Sequence, residues 1–331
     1  MEYRAFGRTG VMVSRLCMGT MTFGWEPNDW GSHKPDALKI GKKALDLGIN
    51  FFDTANVYAR GVSEQITGEI VKPVRKEIFL ATKFHGRMGE GPNDWGNSRR
   101  HIIEQCEASL KRLKTDWIDL YQVHRPQPSI PIDETLRALD DLIRSGKVRY
   151  IGTSTYAAWQ LTEAHYIARE LGTNRFVSEQ PPYNLLDRRF EREMQPFCLT
   201  YNYAVMPWSP LAGGQLSGKY LGKSKEGRYG KSDPNKRITA ESTSAVKKLQ
   251  AIADELGVSL TALSLGWVLS RPGVTSAITG ARKVAQFKDL VAALDVNFTD
   301  DLNTRIDAIF KPGEHTLEYY NANFGPNAVP I

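Results

Sequence analysis

The chain has 331 residues, 41% of them hydrophobic and 24% charged, with a formal net charge of +6 and its Lys and Arg scattered among the acids. That composition is globular and excludes a disordered or low-complexity chain. Positive charge spread this way serves an anionic small molecule or solubility rather than a nucleic-acid stripe.

Cys17, Cys106 and Cys198 lie far apart, with no CxxC, which suits a reducing compartment and thiols used as small core residues. The N-terminus carries charge at once and shows no signal peptide. No apolar run approaches the ~18 residues of a membrane span. A cytoplasmic protein with no membrane partner is expected.

In chain order, Tyr3 to Phe6 and Val11 to Val13 flank Gly7-Arg8-Thr9-Gly10 and predict a hairpin. Short apolar runs then alternate with helical patterns. Leu16–Met18 precedes a helix from Pro35 to Leu47, and Phe51-Phe52 one from Val62 to Val71. Ile78–Ala81 precedes Ser98 to Leu113, and Trp117–Tyr121 precedes Asp133 to Ser145. Val148–Gly152 precedes Ala157 to Leu171, and Phe176–Ser178 precedes Phe190 to Cys198. Ala204–Met206 precedes, after a long insertion, Ser259 to Ser270, and Val274–Ile278 precedes Val284 to Ala293. Further helices are expected near Ser242 to Leu256 and Asp300 to Phe310.

Eight βα units in one run imply a parallel sheet with helices outside it, and their span is that of a closed (β/α)8 TIM barrel of roughly 250 residues. A doubly wound sheet is the rival, but no GxGxxG follows the first strand. No Pro-, Gly- or Ser-rich linker divides the chain, so a single domain over 1–331 is expected.

Barrel sites lie at the C-terminal ends of the strands. Those ends carry Asp53, Lys83, His124, Ser154, Gln180 and Trp208-Ser209, with Tyr58 five residues beyond Asp53. Tyr58 is a weak acid at neutral pH, and an ammonium in hydrogen-bond reach stabilises a phenolate. Lys83 can supply that charge and Asp53 can hold Lys83. His124 can donate to an oxygen on which negative charge develops. An acidic phenol and a donor facing one oxygen suit carbonyl reduction, and since no side chain donates hydride, a nicotinamide cofactor is implied. Each residue also has a structural reading: Asp53 as a cap, Tyr58 as a half-buried loop aromatic, Lys83 as a strand-end ion pair, His124 as a satisfied turn histidine, Trp208 as core.

The stretches GTMTFG (19–24), NFFDTANVY (50–58), ATK (81–83), DWIDLYQVHRP (116–126), GKVRYIGTS (146–154), QPPYNLLDRR (180–189), PWSPLAGGQLSGKY (207–220) and ITGAR (278–282) together resemble the aldo-keto reductases, from Tyr3 to about Leu294. The resemblance implies an NADPH-dependent reductase of aldehydes or ketones. Its catalytic tetrad would be Asp53, Tyr58, Lys83 and His124, with Tyr58 as proton donor, Lys83 and Asp53 as its tuners, and His124 orienting the carbonyl. Ser154 and Gln180 match positions that hold the carboxamide, and Trp208 the aromatic that stacks on the nicotinamide. Gly19, Thr20 and Met21 line the same end.

Ser209, Leu211, Gly213, Gly214, Gly218 and Lys219 match the loop over the pyrophosphate, and Gly280, Arg282, Gln286 and Asp289 the adenosine end. Arg282 is the expected contact of a 2′-phosphate, which favours NADPH over NADH. Two departures stand out: Thr155 and Leu290 occupy places where many members have Asn. Channel beta subunits belong to the same family, so a cofactor-binding redox-sensing subunit with slow turnover is the alternative.

Gly213 to Tyr220 also fits GxxxxGK, but Tyr220 replaces the Ser or Thr that would hold magnesium. A nucleotide-hydrolase site is therefore set aside, and no His or Cys spacing suggests a metal. Trp25, Trp30, Trp95, Tyr229 and the tail aromatics Tyr319, Tyr320 and Phe324 are candidates to wall a substrate pocket, which would favour apolar or aromatic aldehydes. Packing against the barrel is their other reading. The Lys- and Arg-rich run from Lys219 to Arg237 either closes over the cofactor or stays solvated.

Overall fold

A computed structural model describes residues 1–25, 31–222, 228–229, 233 and 237–316. The hairpin pairs β1 (Tyr3–Ala5) with β2 (Met12–Ser14), Tyr3 opposite Ser14 and Ala5 opposite Met12. Eight parallel strands follow in one sheet: β3 (Leu16–Gly19), β4 (Phe51–Asp53), β5 (Phe79–Phe84), β6 (Ile118–Val123), β7 (Val148–Ser154), β8 (Ser178–Gln180), β9 (Ala204–Val205) and β10 (Ala277–Thr279). Each strand from β3 to β8 pairs with the next, and β10 returns beside β3. The two ends of the sheet meet. Val205 forms a parallel bridge with Val274, Thr275 N donates to Val205 O at 2.9 Å, and Ile278 N donates to Pro207 O at 2.9 Å. The fold is a (β/α)8 barrel.

Helices α1 (Lys34–Asp46), α2 (Val62–Val71), α3 (Arg99–Leu113), α4 (Ile132–Arg144), α5 (Ala158–Leu171) and α6 (Met194–Tyr201) connect successive strands. After β9 come α7 (Ala240–Glu255) and α8 (Leu260–Ser270), and after β10 come α9 (Phe287–Ala292) and α10 (Asp300–Ile309). The amphipathic α4 buries Leu136, Leu139 and Leu142 against the barrel. By contrast α8, mostly apolar, is buried at Leu260 and from Ala262 to Leu269. Gly68 permits the contact of α2 with α3, because a Cβ there would lie 2.3 Å from Leu113 O.

Helix starts are set by caps. The Ser98, Ser259 and Thr299 hydroxyls accept from the N–H groups of His101, Ala262 and Leu302 at 3.3, 3.1 and 3.2 Å. Two predicted helices, Ser98 to Leu113 and Ser259 to Ser270, begin on those capping residues and therefore run one residue long. Larger differences fall late in the chain. Phe190 lies in a 3-10 turn (Arg189–Glu191) that precedes α6 rather than opening it. Val284–Gln286 is likewise a 3-10 turn before α9. The strand expected from Phe176 runs Ser178–Gln180, and the one expected from Val274 runs Ala277–Thr279, with Val274 making only the closing bridge.

Period-2 alternation fills the barrel in layers. The lower layer is apolar: Cys17, Phe51, Phe79, Ala81, Leu120, Ala204 and Met206, with Phe6 and Val13 of the hairpin region packed against them. Phe6 meets Phe79 at 4.8 Å between ring centroids and Phe51 edge-on at 5.8 Å. Two residues further along, β4, β5 and β6 place Asp53, Lys83 and Gln122 above this floor, all buried.

Candidate active site

The buried polar layer is built on Lys83. Its ammonium donates to Asp53 Oδ2 at 2.5 Å, to Thr54 O at 2.8 Å and to the Tyr58 hydroxyl at 3.3 Å. An ammonium has three protons, and these three acceptors use them all. The sequence places the groups by strand pairing. Asp53 lies opposite Ala81 in the register of β4 on β5, Thr54 N donates to Ala81 O at 3.0 Å, and Asn56 N donates to Lys83 O at 3.1 Å. The loop that carries Tyr58 is thus tied to the end of the strand that carries Lys83.

Beyond Tyr58 the backbone is left-handed at three consecutive residues, Ala59 (φ 46), Arg60 (φ 52) and Gly61 (φ 94). Glycine is required at the last, since a Cβ on Gly61 would lie 2.6 Å from Arg112 Cδ. Arg112 is fixed in turn by Glu64, which is fully buried and accepts from Arg112 Nε and Thr82 Oγ1 at 2.6 Å each.

His124 stands one residue past β6 with its ring edge-on to Tyr58, 5.7 Å between centroids. Burial, with the nearby Arg125, Lys83 and His85 charges, holds its imidazole well below the ordinary 6.5. The ring is neutral at pH 7, a hydrogen-bond donor rather than a cation. For Lys83, burial alone would lower the pKa. The Asp53 carboxylate, helped by Tyr58, outweighs it and holds the ammonium above the ordinary lysine value.

Asp53, Tyr58 and His124 line a single cleft of about 420 Å³ together with Gly19, Met21, Ser154, Gln180, Trp208, Ser209, Leu211, Gly213, Gly214, Lys219, Gly280, Arg282, Gln286 and Asp289. Thr22, Arg125, Arg228, Arg237 and Leu290 also line it and were not selected from the sequence as site residues. Bare backbone borders part of the cleft. Gly213 and Gly214 are both left-handed (φ 64 and 98), and a Cβ on Gly214 would lie 2.3 Å from Lys219 Nζ, so the bare backbone lets that ammonium lie against it. At Gly280 nothing lies within 4 Å of the place a Cβ would take, so the backbone itself borders open space. The Gln286 side chain turns back on its own loop, its Oε1 accepting from Arg282 N at 2.7 Å and Lys283 N at 3.0 Å.

Several candidates lie elsewhere. Lys83 is fully buried beneath the cleft rather than on its wall. The Thr20 side chain is buried, its hydroxyl 3.2 Å from Asp53 O and 2.9 Å from Ser63 Oγ. Gly218 falls outside the lining, at the end of the 3-10 turn Ala212–Ser217. Trp25 donates to Met21 O at 2.6 Å, and Trp95 packs edge-on to His85 at 6.0 Å; neither lines the cleft. Tyr229 is buried against Gly213 and accepts from Arg237. Trp30, Tyr319, Tyr320, Phe324 and most of the run from Lys219 to Arg237 lie outside the described residues.

Ser154 Oγ donates to Gln180 O at 2.9 Å. Thr155, at φ 64, uses a left-handed conformation that suits Asn better than a β-branched residue, and its hydroxyl accepts from Arg125 Nη1 at 2.7 Å.

Gln122 was missed. It stands on β6 between Leu120 and His124, and its amide nitrogen donates to Asp53 Oδ1 at 3.1 Å. The same alternation that exposes His124 to the cleft would have found it.

Comparison with known proteins agrees with this geometry. The profile of the Aldo/keto reductase family matches residues 15–311. A probable voltage-gated potassium channel subunit beta from Oryza sativa subsp. japonica is 39% identical, covering 97% of this chain and 100% of that protein. An uncharacterized oxidoreductase of Bacillus subtilis, YrpG, is 38% identical over 97% of this chain and 99% of its own. The versiconal hemiacetal acetate reductase of Aspergillus parasiticus is 34% identical over 91% and 94%. The chain belongs to the aldo/keto reductase family, oxidoreductases of small carbonyl compounds that work with a nicotinamide nucleotide.

Proposed function

We propose that the protein reduces aldehydes or ketones to alcohols with NADPH, using Tyr58 as the proton donor. The observation that carries this reading is the buried chain Asp53–Lys83–Tyr58, whose phenol end opens into the cleft beside a neutral His124. The bound nicotinamide nucleotide supplies the hydride that the carbonyl carbon gains. His124 donates a hydrogen bond to the carbonyl oxygen and orients it toward Tyr58. The Tyr58 hydroxyl gives its proton to that oxygen as negative charge develops there, and the Lys83 ammonium stabilises the phenolate left behind. Solvent then returns a proton to Tyr58. Asp53 keeps Lys83 charged and in place without touching the substrate.

The cofactor would lie along Trp208, Ser209–Leu211, Gly213, Gly214 and Lys219, with Gly280 and Arg282 at the phosphate-bearing ribose. The guanidinium of Arg282, half-buried on the cleft wall, is the group suited to a 2′-phosphate. The test is NADPH oxidation with a reactive aromatic aldehyde, run in parallel with NADH. Turnover with preference for NADPH supports the reading.

A second reading has one observation behind it. The names of relatives such as the Oryza sativa protein describe channel beta subunits, which favours a subunit that binds the cofactor and reports its redox state. NADPH binding with barely detectable oxidation by any aldehyde would put that reading first.

A further inference from the structure

Resting on the reductase reading, we infer that Gln122 is a positioning residue for the reaction: with Gln180 it forms an amide clamp that fixes Asp53, and through Asp53 the Lys83 ammonium that serves Tyr58. The two carboxylate oxygens of Asp53 are divided. Oδ2 takes Lys83 at 2.5 Å. Oδ1 accepts from Gln122 Nε2 at 3.1 Å and from Gln180 Nε2 at 3.0 Å. A carboxylate only accepts, so both amides must turn their nitrogens toward it. Gln180 Nε2 also lies 3.3 Å from Gln122 Oε1, which joins the two amides to each other.

The clamp has a consequence for Lys83. A buried carboxylate with one partner would draw the ammonium fully to itself, away from the phenol. Two amide donors on Oδ1 share that charge and leave Lys83 in reach of both Asp53 and Tyr58. Gln122 itself is fully buried and does not line the cleft, so its effect passes through Asp53. Gln180 does line the cleft. Its nitrogen is committed to Asp53, which leaves its carbonyl oxygen for a ligand and links occupancy of the cleft to the same carboxylate.

The groups that face Asp53 are few. Lys83 comes from β5, Tyr58 from the loop after β4, and His124 from just past the end of β6. The thiol of Cys17 lies below on β3, pushed up by burial and by Asp53 itself, so it stays protonated. No other charged group shares Oδ1 among the described residues.

Two substitutions test the clamp. Gln122→Met keeps the volume and removes the donor; kcat should fall roughly tenfold or more, the loss of one hydrogen bond to a charged group. Gln122→Glu puts a second carboxyl against Asp53, and the pair cannot both ionise easily. At low pH the protonated Glu donates to Asp53 as the amide did, and kcat should approach that of the wild type. As pH rises through the apparent pKa of the pair, raised above the usual 4.3 or so of Glu, the donor is lost, a like charge replaces it, and kcat should fall in a limb the wild type lacks.

A role in packing alone would lower activity equally at all pH values. If Gln122→Met does not fold, Gln122→Glu carries the test by itself, because its pH dependence is read within one protein. Wild-type turnover with both variants unchanged in kcat and pH profile overturns the inference alone. No turnover by the wild type overturns the reductase reading and the inference with it.

Discussion

Lys83 and Asp53 form a fully buried ion pair, 2.5 Å between Nζ and Oδ2, at the upper end of the barrel interior. Such a pair is costly to half-remove, because the surviving charge loses its partner while still out of water. Lys83→Met should therefore abolish turnover and destabilise the fold by roughly 3–5 kcal/mol. Adding Asp53→Asn should recover part of the stability and none of the activity. Urea unfolding of the two variants, with rates alongside, checks both.

His124 should remain neutral across the working range. Burial, first, and neighbouring positive charge hold its imidazole well below 6.5, so the pH profile of kcat should carry no acidic limb centred near 6.5. Stability has the opposite face. Below about 6.5 the unfolded chain protonates this histidine and the folded one does not, so stability falls as pH drops. His85 and His101 are shifted in the same direction, burial again the main cause. Urea midpoints should decline from pH 7 to pH 5.5, and His124→Asn should flatten part of that decline.

Glu179 works against this trend. It is fully buried on β8, and burial pushes its carboxyl from 4.5 up to about 7 despite hydrogen bonds from Thr153 and from the backbone of Tyr156 and Thr155. The folded state holds this proton more tightly than the unfolded one, so the group costs stability as pH rises from about 4.5 through 7. Glu179→Gln carries no charge and should gain on the order of 3 kcal/mol at pH 8, with little change at pH 5. Thermal melts at the two pH values decide it.

Arg282 carries the expectation about the cofactor. Arg282→Ala should raise KM for NADPH by about tenfold or more, the worth of a charge-assisted pair, and leave KM for NADH nearly unchanged. Equal losses with both cofactors would move the 2′-phosphate contact to another cation of the cleft, Lys219, Arg228 or Arg237.

Much of this was legible in the sequence because barrel strands announce themselves. Runs such as Ile78–Ala81 are short, apolar and followed at once by polar residues, and the strand ends pointed to Asp53, Lys83 and His124 together. Where the sequence was harder to read, local signals competed. Phe190 sits in a stretch with helical composition, yet Arg188 and Arg189 are taken up by Glu191, Asp307 and Asp187, which fixes a 3-10 turn before α6 begins. Gln122 escaped because it lies inside its strand and not at the strand's end, although the period-2 pattern Leu120, Gln122, His124 places all three inside the barrel. The aromatics Trp25 and Trp95, expected as pocket walls, do not line the cleft, since their partners, Met21 O and His85, come from loop geometry that periodicity does not encode.

The central claim is that the Tyr58 hydroxyl supplies the proton in an NADPH-dependent carbonyl reduction. The most direct measurement is single-turnover oxidation of bound NADPH by an aromatic aldehyde in the wild type and in Tyr58→Phe. The account predicts a rate lower by roughly 10²–10⁴ in the variant, with NADPH affinity within a few-fold of the wild type. Equal rates in the two proteins would contradict it.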